Sequence, residues 1–171
     1  ASVAWENLAG IYYEMNELEL AKVNFKKAVE LDENHYQAWH FLSLIHYRLS
    51  EYPLAFQSQI NAEQSDPFLS QINQAQSATD TGDMKVAASL CQQILNQHQR
   101  HPRALYVLAM LSAQQGKLEN AVSDVKLGLS FAPYDYKLRN FLSQLYSQLR
   151  SYKQAVDESS ILVKQVPSEA S

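Results

Sequence analysis

The chain has 171 residues, 46% of them hydrophobic, enough for one domain with a sizeable core. Only 4 glycines and 5 prolines are present, which speaks against an all-β fold with many tight turns. The net charge of -4 disfavours nucleic acid or an anionic membrane as the main partner, since the mean field repels both. Residues 2–35 hold two stretches with apolar residues every three or four positions, the helical spacing, with Trp5, Leu8 and Tyr12 on the first and Phe25 on the second. A polar break at Asn16-Glu17 separates them. Residues 36–67 repeat the pattern: Trp39 and Leu42 follow Trp5 and Leu8 by 34 residues, the break is Ser50-Glu51, and Pro67 closes the unit. Pro53 falls in the first turn of its helix, where a missing N–H costs little.

Residues 68–101 keep register through Gly82-Asp83 and Ala87, but Gln71, Gln74 and Ala78 stand where large residues are expected. Trp39 to Gln71 is 32 residues, two short, so the regular geometry is expected to bend or loosen here. Residues 102–135 break at Gly116-Lys117 and close on Pro133; residues 136–169 break at Arg150-Ser151 and close on Pro167. Glycine or asparagine at the first break position suits a left-handed helix end; Ser50 and Arg150 suit it less well. Two helices packed antiparallel need small residues where they approach. Ala21, Ala55, Ala87, Ala121 and Ala155 fill one such position in all five units, facing Ala9, Ser43, Ala75, Ala109 and Ser143. A lone pair cannot bury both faces, so each pair stacks on the next.

Trp5-x-x-Leu8-Ala9-x-x-Tyr12 followed by Ala21-x-x-x-Phe25-x-x-Ala28 resembles the tetratricopeptide repeat family over essentially the whole chain. The resemblance implies an all-α fold, with tandem antiparallel helix pairs forming a right-handed α-solenoid as a single array over 1–171. It also implies a concave face lined by the first helix of each pair, where a peptide or protein segment binds without catalysis. Positions projecting there are His40, Leu44, Tyr47, Ile72, Gln76, Arg103, Tyr106, Met110, Lys137 and Asn140. Aromatic residues and arginine are common anchors of such surfaces. Co-chaperones of the family hold a carboxylate with Lys, Asn and Arg on successive repeats; here Asn73 with Arg103 is a partial match, so no such clamp is expected.

No chemistry is expected. His98-x-x-His101 has no Cys, Asp or Glu at ligand spacing and reads as two solvated histidines near a helix end. His35, His40 and His46 straddle one helix without a triad partner. Cys91, the single cysteine, excludes an internal disulfide and reads as a small apolar packing residue. Neither a Gly-rich phosphate loop nor a nucleophile elbow is present, and no cofactor or metal is expected. No apolar run can span a bilayer and no signal-peptide pattern is found, so a cytoplasmic setting is expected.

The chain opens at Ala1 and reads as an excised piece of a larger bacterial protein. Its last helix carries Val156, Ile161, Leu162 and Val163 without an evident polar cap, leaving three explanations: further repeats or another domain, self-association (a homodimer through the array ends), or a folded-back tail. Gly128-Leu129-Ser130-Phe131-Ala132-Pro133 with Leu138-Arg139-Asn140 is similar to the repeat region preceding a sulfotransferase domain in bacterial proteins. That likeness implies an alternative role as the recruiting or regulatory arm of a larger enzyme.

Overall fold

A computed structural model of the protein describes residues 1–165. Pro167, the expected closing proline of the last repeat, lies outside the described residues. Helices α1 (Ser2–Glu14) and α2 (Leu18–Leu31) form the first antiparallel pair, and α3 (Tyr36–Arg48) and α4 (Tyr52–Gln64) the second. The third is α5 (Leu69–Asp80) with α6 (Met84–Gln97), the fourth α7 (Pro102–Gln114) with α8 (Leu118–Phe131), and the fifth α9 (Tyr136–Gln148) with α10 (Tyr152–Gln165). The chain divides after Pro67 into two compact units, at the junction that is two residues short in sequence.

The turn inside each pair has one geometry. Asn16, Ser50, Gly82, Gly116 and Arg150 all take positive φ, between 59° and 82°. Each donates its N–H three residues back, and the residue after it donates five back: Asn16 to Tyr13 O and Glu17 to Tyr12 O, through to Arg150 to Ser147 O and Ser151 to Tyr146 O. Two orphan carbonyls of the first helix are thereby satisfied and the chain reverses within three residues. Ser50 and Arg150 adopt this conformation like the glycines, so tertiary packing overrides their local preference.

The small positions lie where the helices cross. Ala9, Ala21, Ala75, Ala87, Ala109 and Ala121 are fully buried, and Ser43 and Ser143 are buried beside them. The serine hydroxyls are satisfied internally: Ser43 Oγ donates to Trp39 O at 2.9 Å and Ser143 Oγ to Ala155 O at 3.0 Å. In the first unit Phe25, Leu42 and Ile45 fill the core, with Trp5, Tyr12 and Trp39 packed at its edge. The second unit has one cluster around Ile72, Ile94, Val107 and Leu111, and another around Val125, Leu138, Leu142 and Leu145.

In the third repeat Gln74 is exposed and Gln71 half-buried. Helix α5 holds its register instead through Ile72, Ala75 and Thr79, all buried. It is 12 residues long against 13 for the other first helices. Its first turn is preceded by Phe68, which packs against the Ile72 cluster.

Candidate functional site

The first helices carry the residues expected to meet a ligand. In the second unit α5, α7 and α9 lie side by side. Tyr106 on α7 and Phe141 on α9 meet edge to face at 5.5 Å between ring centroids. Arg103, Tyr106, Met110 and Lys137 are half-buried, Gln76 is half-buried on α5, and Asn140 is exposed. The Lys137 ammonium lies 5.8 Å from the Tyr136 ring. This wall therefore offers aromatic and thioether surface, one amide at its edge, and two cationic side chains. Ile72, expected to project here, is buried in the core. On α5 an open cavity of about 640 Å³ is lined by Leu69, Ser70, Asn73, Gln74 and Ser77.

In the first unit Leu44 and Tyr47 are half-buried, and Tyr47 meets Tyr52 edge to face at 5.9 Å. His40 is only 2% exposed, with its ring 5.5 Å from Phe41 and 6.4 Å from Tyr36. It supports the wall rather than offering surface. The period does not single out Phe41, yet it stacks on Phe25 at 5.0 Å, meets Tyr13 at 5.2 Å, and lines a cavity of about 530 Å³ beside α1. Gly10 opens that cavity, since a Cβ there would meet nothing within 4 Å. Glu6 and Glu14 stand on its rim, and Glu6 pairs with His35 at 3.2 Å.

The titratable groups are structural. His46 Nδ1 lies 2.5 Å from Glu51 Oε2, and Lys22 Nζ reaches Glu51 Oε1 at 3.0 Å and Glu19 at 2.9 Å. Burial holds the His46 imidazole below its ordinary pKa, against the pull of Glu51; the contact with His46 in turn holds the Glu51 carboxyl low. Burial also pushes the Cys91 thiol up to about 11, so it packs as an inert apolar group. The histidine pair departs from expectation. His101 is fully buried, its Nδ1 accepts from Ala104 N at 3.3 Å, and it thereby caps α7; His98 packs against its ring at 5.5 Å and against Phe131 at 4.8 Å. Pro102, at the first helical position, puts this histidine at the cap, where a side-chain acceptor is wanted. Among the described residues no three His, Cys, Asp or Glu side chains are grouped to hold a metal ion, and no helix is long and apolar enough to cross a membrane.

Models described as tetratricopeptide repeat match residues 2–35 and 72–136. No curated protein sequence matches. Among solved structures, the chain is similar to PilF of Pseudomonas aeruginosa at 19% identity and a TM-score of 0.53, covering 99% of this chain and 78% of that one. It is similar to MamA of Desulfovibrio magneticus RS-1 at 14% identity and 0.53, covering 99% and 97%. It is also similar to YrrB, described as a TPR protein with an unusual peptide-binding site, at 18% identity and 0.52, covering 99% and 88%. At these identities the likeness speaks to the fold. The helix pairs, their left-handed turns and small crossing residues, and the matched models agree: the chain belongs to the tetratricopeptide repeat family.

Proposed function

We propose that the chain is a non-catalytic interaction scaffold, its five helix pairs serving as one array, and that a peptide lies against the first helices of the second unit. The observation that carries this is the Tyr106–Phe141 pair on α7 and α9, with Met110 on the same helix as Tyr106 and cationic side chains at Arg103 and Lys137. Half-exposed aromatic surface beside fixed charge suits a segment with an apolar anchor and an acidic neighbour. The fold is shared with YrrB, described as having a peptide-binding site, which supports a peptide rather than a small molecule as the ligand.

The test is an array of immobilised peptides in which an aromatic or aliphatic anchor is combined with an acidic, neutral or basic flank. Acidic-flanked peptides should bind best. Tyr106→Ala should weaken capture about tenfold or more, as for a central aromatic anchor. Arg103→Glu should reverse the charge preference. Equal binding by the parent and both variants would sink the reading.

A further inference from the structure

The chain has two tryptophans, Trp5 and Trp39, at one register position 34 residues apart. A cation covers the first. Lys27 Nζ lies 4.3 Å from the centroid of the Trp5 ring, within the first helix pair. An ammonium at that distance is attracted by the negative face of the indole. In the second pair the residue that follows Lys27 by 34 is Asn61. The repeat keeps the ring and drops the cation, and among the described residues no cation lies over Trp39. Trp39 and Asn61 instead line an open cavity of about 450 Å³. At the tryptophan position the third, fourth and fifth pairs have Gln71, Leu105 and Arg139, so the second pair alone offers an indole without a cation on it.

The wall around that ring is fixed and acidic, and all of it belongs to the first unit. Trp39 Nε1 donates to Glu33 O at 2.8 Å, and Ser65 Oγ donates to the same carbonyl at 3.4 Å. These bonds tie the turn between α2 and α3 to the indole and to the end of α4. Asp32 Oδ1 accepts from Asn34 N at 3.1 Å and shapes the turn itself. Glu30, Glu33, Asn34 and Gln64 also line the cavity, and all four are exposed. The carboxylates of Glu30 and Glu33 have no ion-pair partner among the described residues. The Asn61 amide oxygen is engaged along its own helix, accepting from Gln57 Nε2 at 3.3 Å.

We propose that this cavity is a second binding site, separate from the α7–α9 wall, and that it takes a primary alkylammonium group. The head lies against the Trp39 ring, as Lys27 lies on Trp5, and donates to the carboxylates of Glu30 and Glu33. A primary ammonium brings three N–H donors, which two carboxylates and the amide oxygens of Asn34 and Gln64 can accept. A quaternary ammonium brings none and is held best by a cage of several rings, whereas one ring lines this cavity. The same head is carried by a lysine side chain of a partner segment and by a free amine.

With two tryptophans in the chain, two indole N–H signals in a nitrogen-15 correlation spectrum report the covered ring and the open one, and Trp39→Phe assigns them. Titration with n-butylammonium should move the Trp39 signal saturably and leave that of Trp5. The uncharged n-butanol should move neither, and tetramethylammonium should bind more weakly. Asn61→Lys should fold as the first pair does, put the chain's own ammonium on the ring, and abolish the response. Glu30→Gln with Glu33→Gln should weaken binding about two- to tenfold; both residues are exposed, so this variant tests the site without touching the core. A capped lysine peptide titrated in parallel distinguishes the sources: tighter binding than n-butylammonium points to a partner segment, equal or weaker binding to a free amine. The absence of a saturable shift, equal shifts at both indoles, a like response to n-butanol, or tetramethylammonium binding as tightly would each overturn the proposal. So would an Asn61→Lys chain that still responds, or binding unaltered by the glutamate substitutions.

Discussion

Five equivalent left-handed residues in one chain allow the cost of that conformation to be measured against internal controls. Gly82 and Gly116 have φ of 82° and 75°, and a Cβ on either would meet nothing within 4 Å. Replacing each with alanine therefore introduces backbone strain and no clash. A left-handed L-residue costs about 1–2 kcal/mol, and the lost freedom of the unfolded glycine returns about 0.4–1 kcal/mol, leaving a net loss of about 1 kcal/mol. Ser50→Gly and Arg150→Gly run the same sum backwards and should gain somewhat under about 1 kcal/mol each. Gly10→Ala is the control. Gly10 is also open to a Cβ but sits inside α1 without positive φ, so alanine should stabilise by about 0.5–1 kcal/mol. Thermal melts followed by circular dichroism read these as shifts of about 4–8 °C per kcal/mol in a unit of 60–100 residues. The reasoning fails if Gly116→Ala melts no lower than the parent, or if Gly10→Ala and Gly116→Ala move the same way.

Ala121→Leu should overpack the crossing of α7 and α8, where Ala121 is fully buried, and cost about 1–3 kcal/mol in denaturant titration; an unchanged midpoint would misplace the crossing. The first unit should lose stability in acid. His46 and Glu51 are both held below their ordinary values of 6.5 and 4.5, so the folded state binds fewer protons than the unfolded one. Their contribution is complete above about pH 6.5 and falls away as pH drops through the folded values. His46→Gln should flatten the upper part of that slope in urea midpoints taken from pH 7.5 to about 5, and a slope unchanged by the substitution would remove His46 as its source. Cys91, buried with its thiol pushed to about 11, should resist a thiol reagent in the native chain at pH 8 and react promptly in urea. Rapid native labelling would contradict its burial.

The fold was legible because its determinants are local and periodic. The crossing position between paired helices has room for little beyond a methyl or hydroxymethyl group, and the alanines and serines recur there in every pair. The turn has one hydrogen-bonding solution, so even Ser50 and Arg150 follow the glycines into it. The third repeat read as weak because its large residues are displaced rather than absent. Ile72 lies one position from the expected Gln71, and Phe68 stands before the helix. His101 is buried rather than solvated for a related reason. Its place beside Pro102 marks a helix start, and a side chain at a cap is buried by the elements that converge there.

The candidate wall was less legible, because repeat register sets where a Cα–Cβ bond points and not what covers it. Glu6, His40, Ile72, Tyr106 and Asn140 occupy one equivalent position. Ile72 and His40 are buried, Glu6 and Tyr106 half-buried, and Asn140 exposed. His40 is closed in by Tyr36 and Phe41, large rings on its own helix. Tyr106 keeps part of its ring open although Phe141 reaches it from α9. The same register position thus serves as core in one repeat and as surface in another, according to the side chains that cover it. A contact surface in such an array is found by combining the inward register with those neighbours. By that measure Arg103, Tyr106, Met110 and Lys137 are all half-buried, whereas His40 and Ile72 are buried.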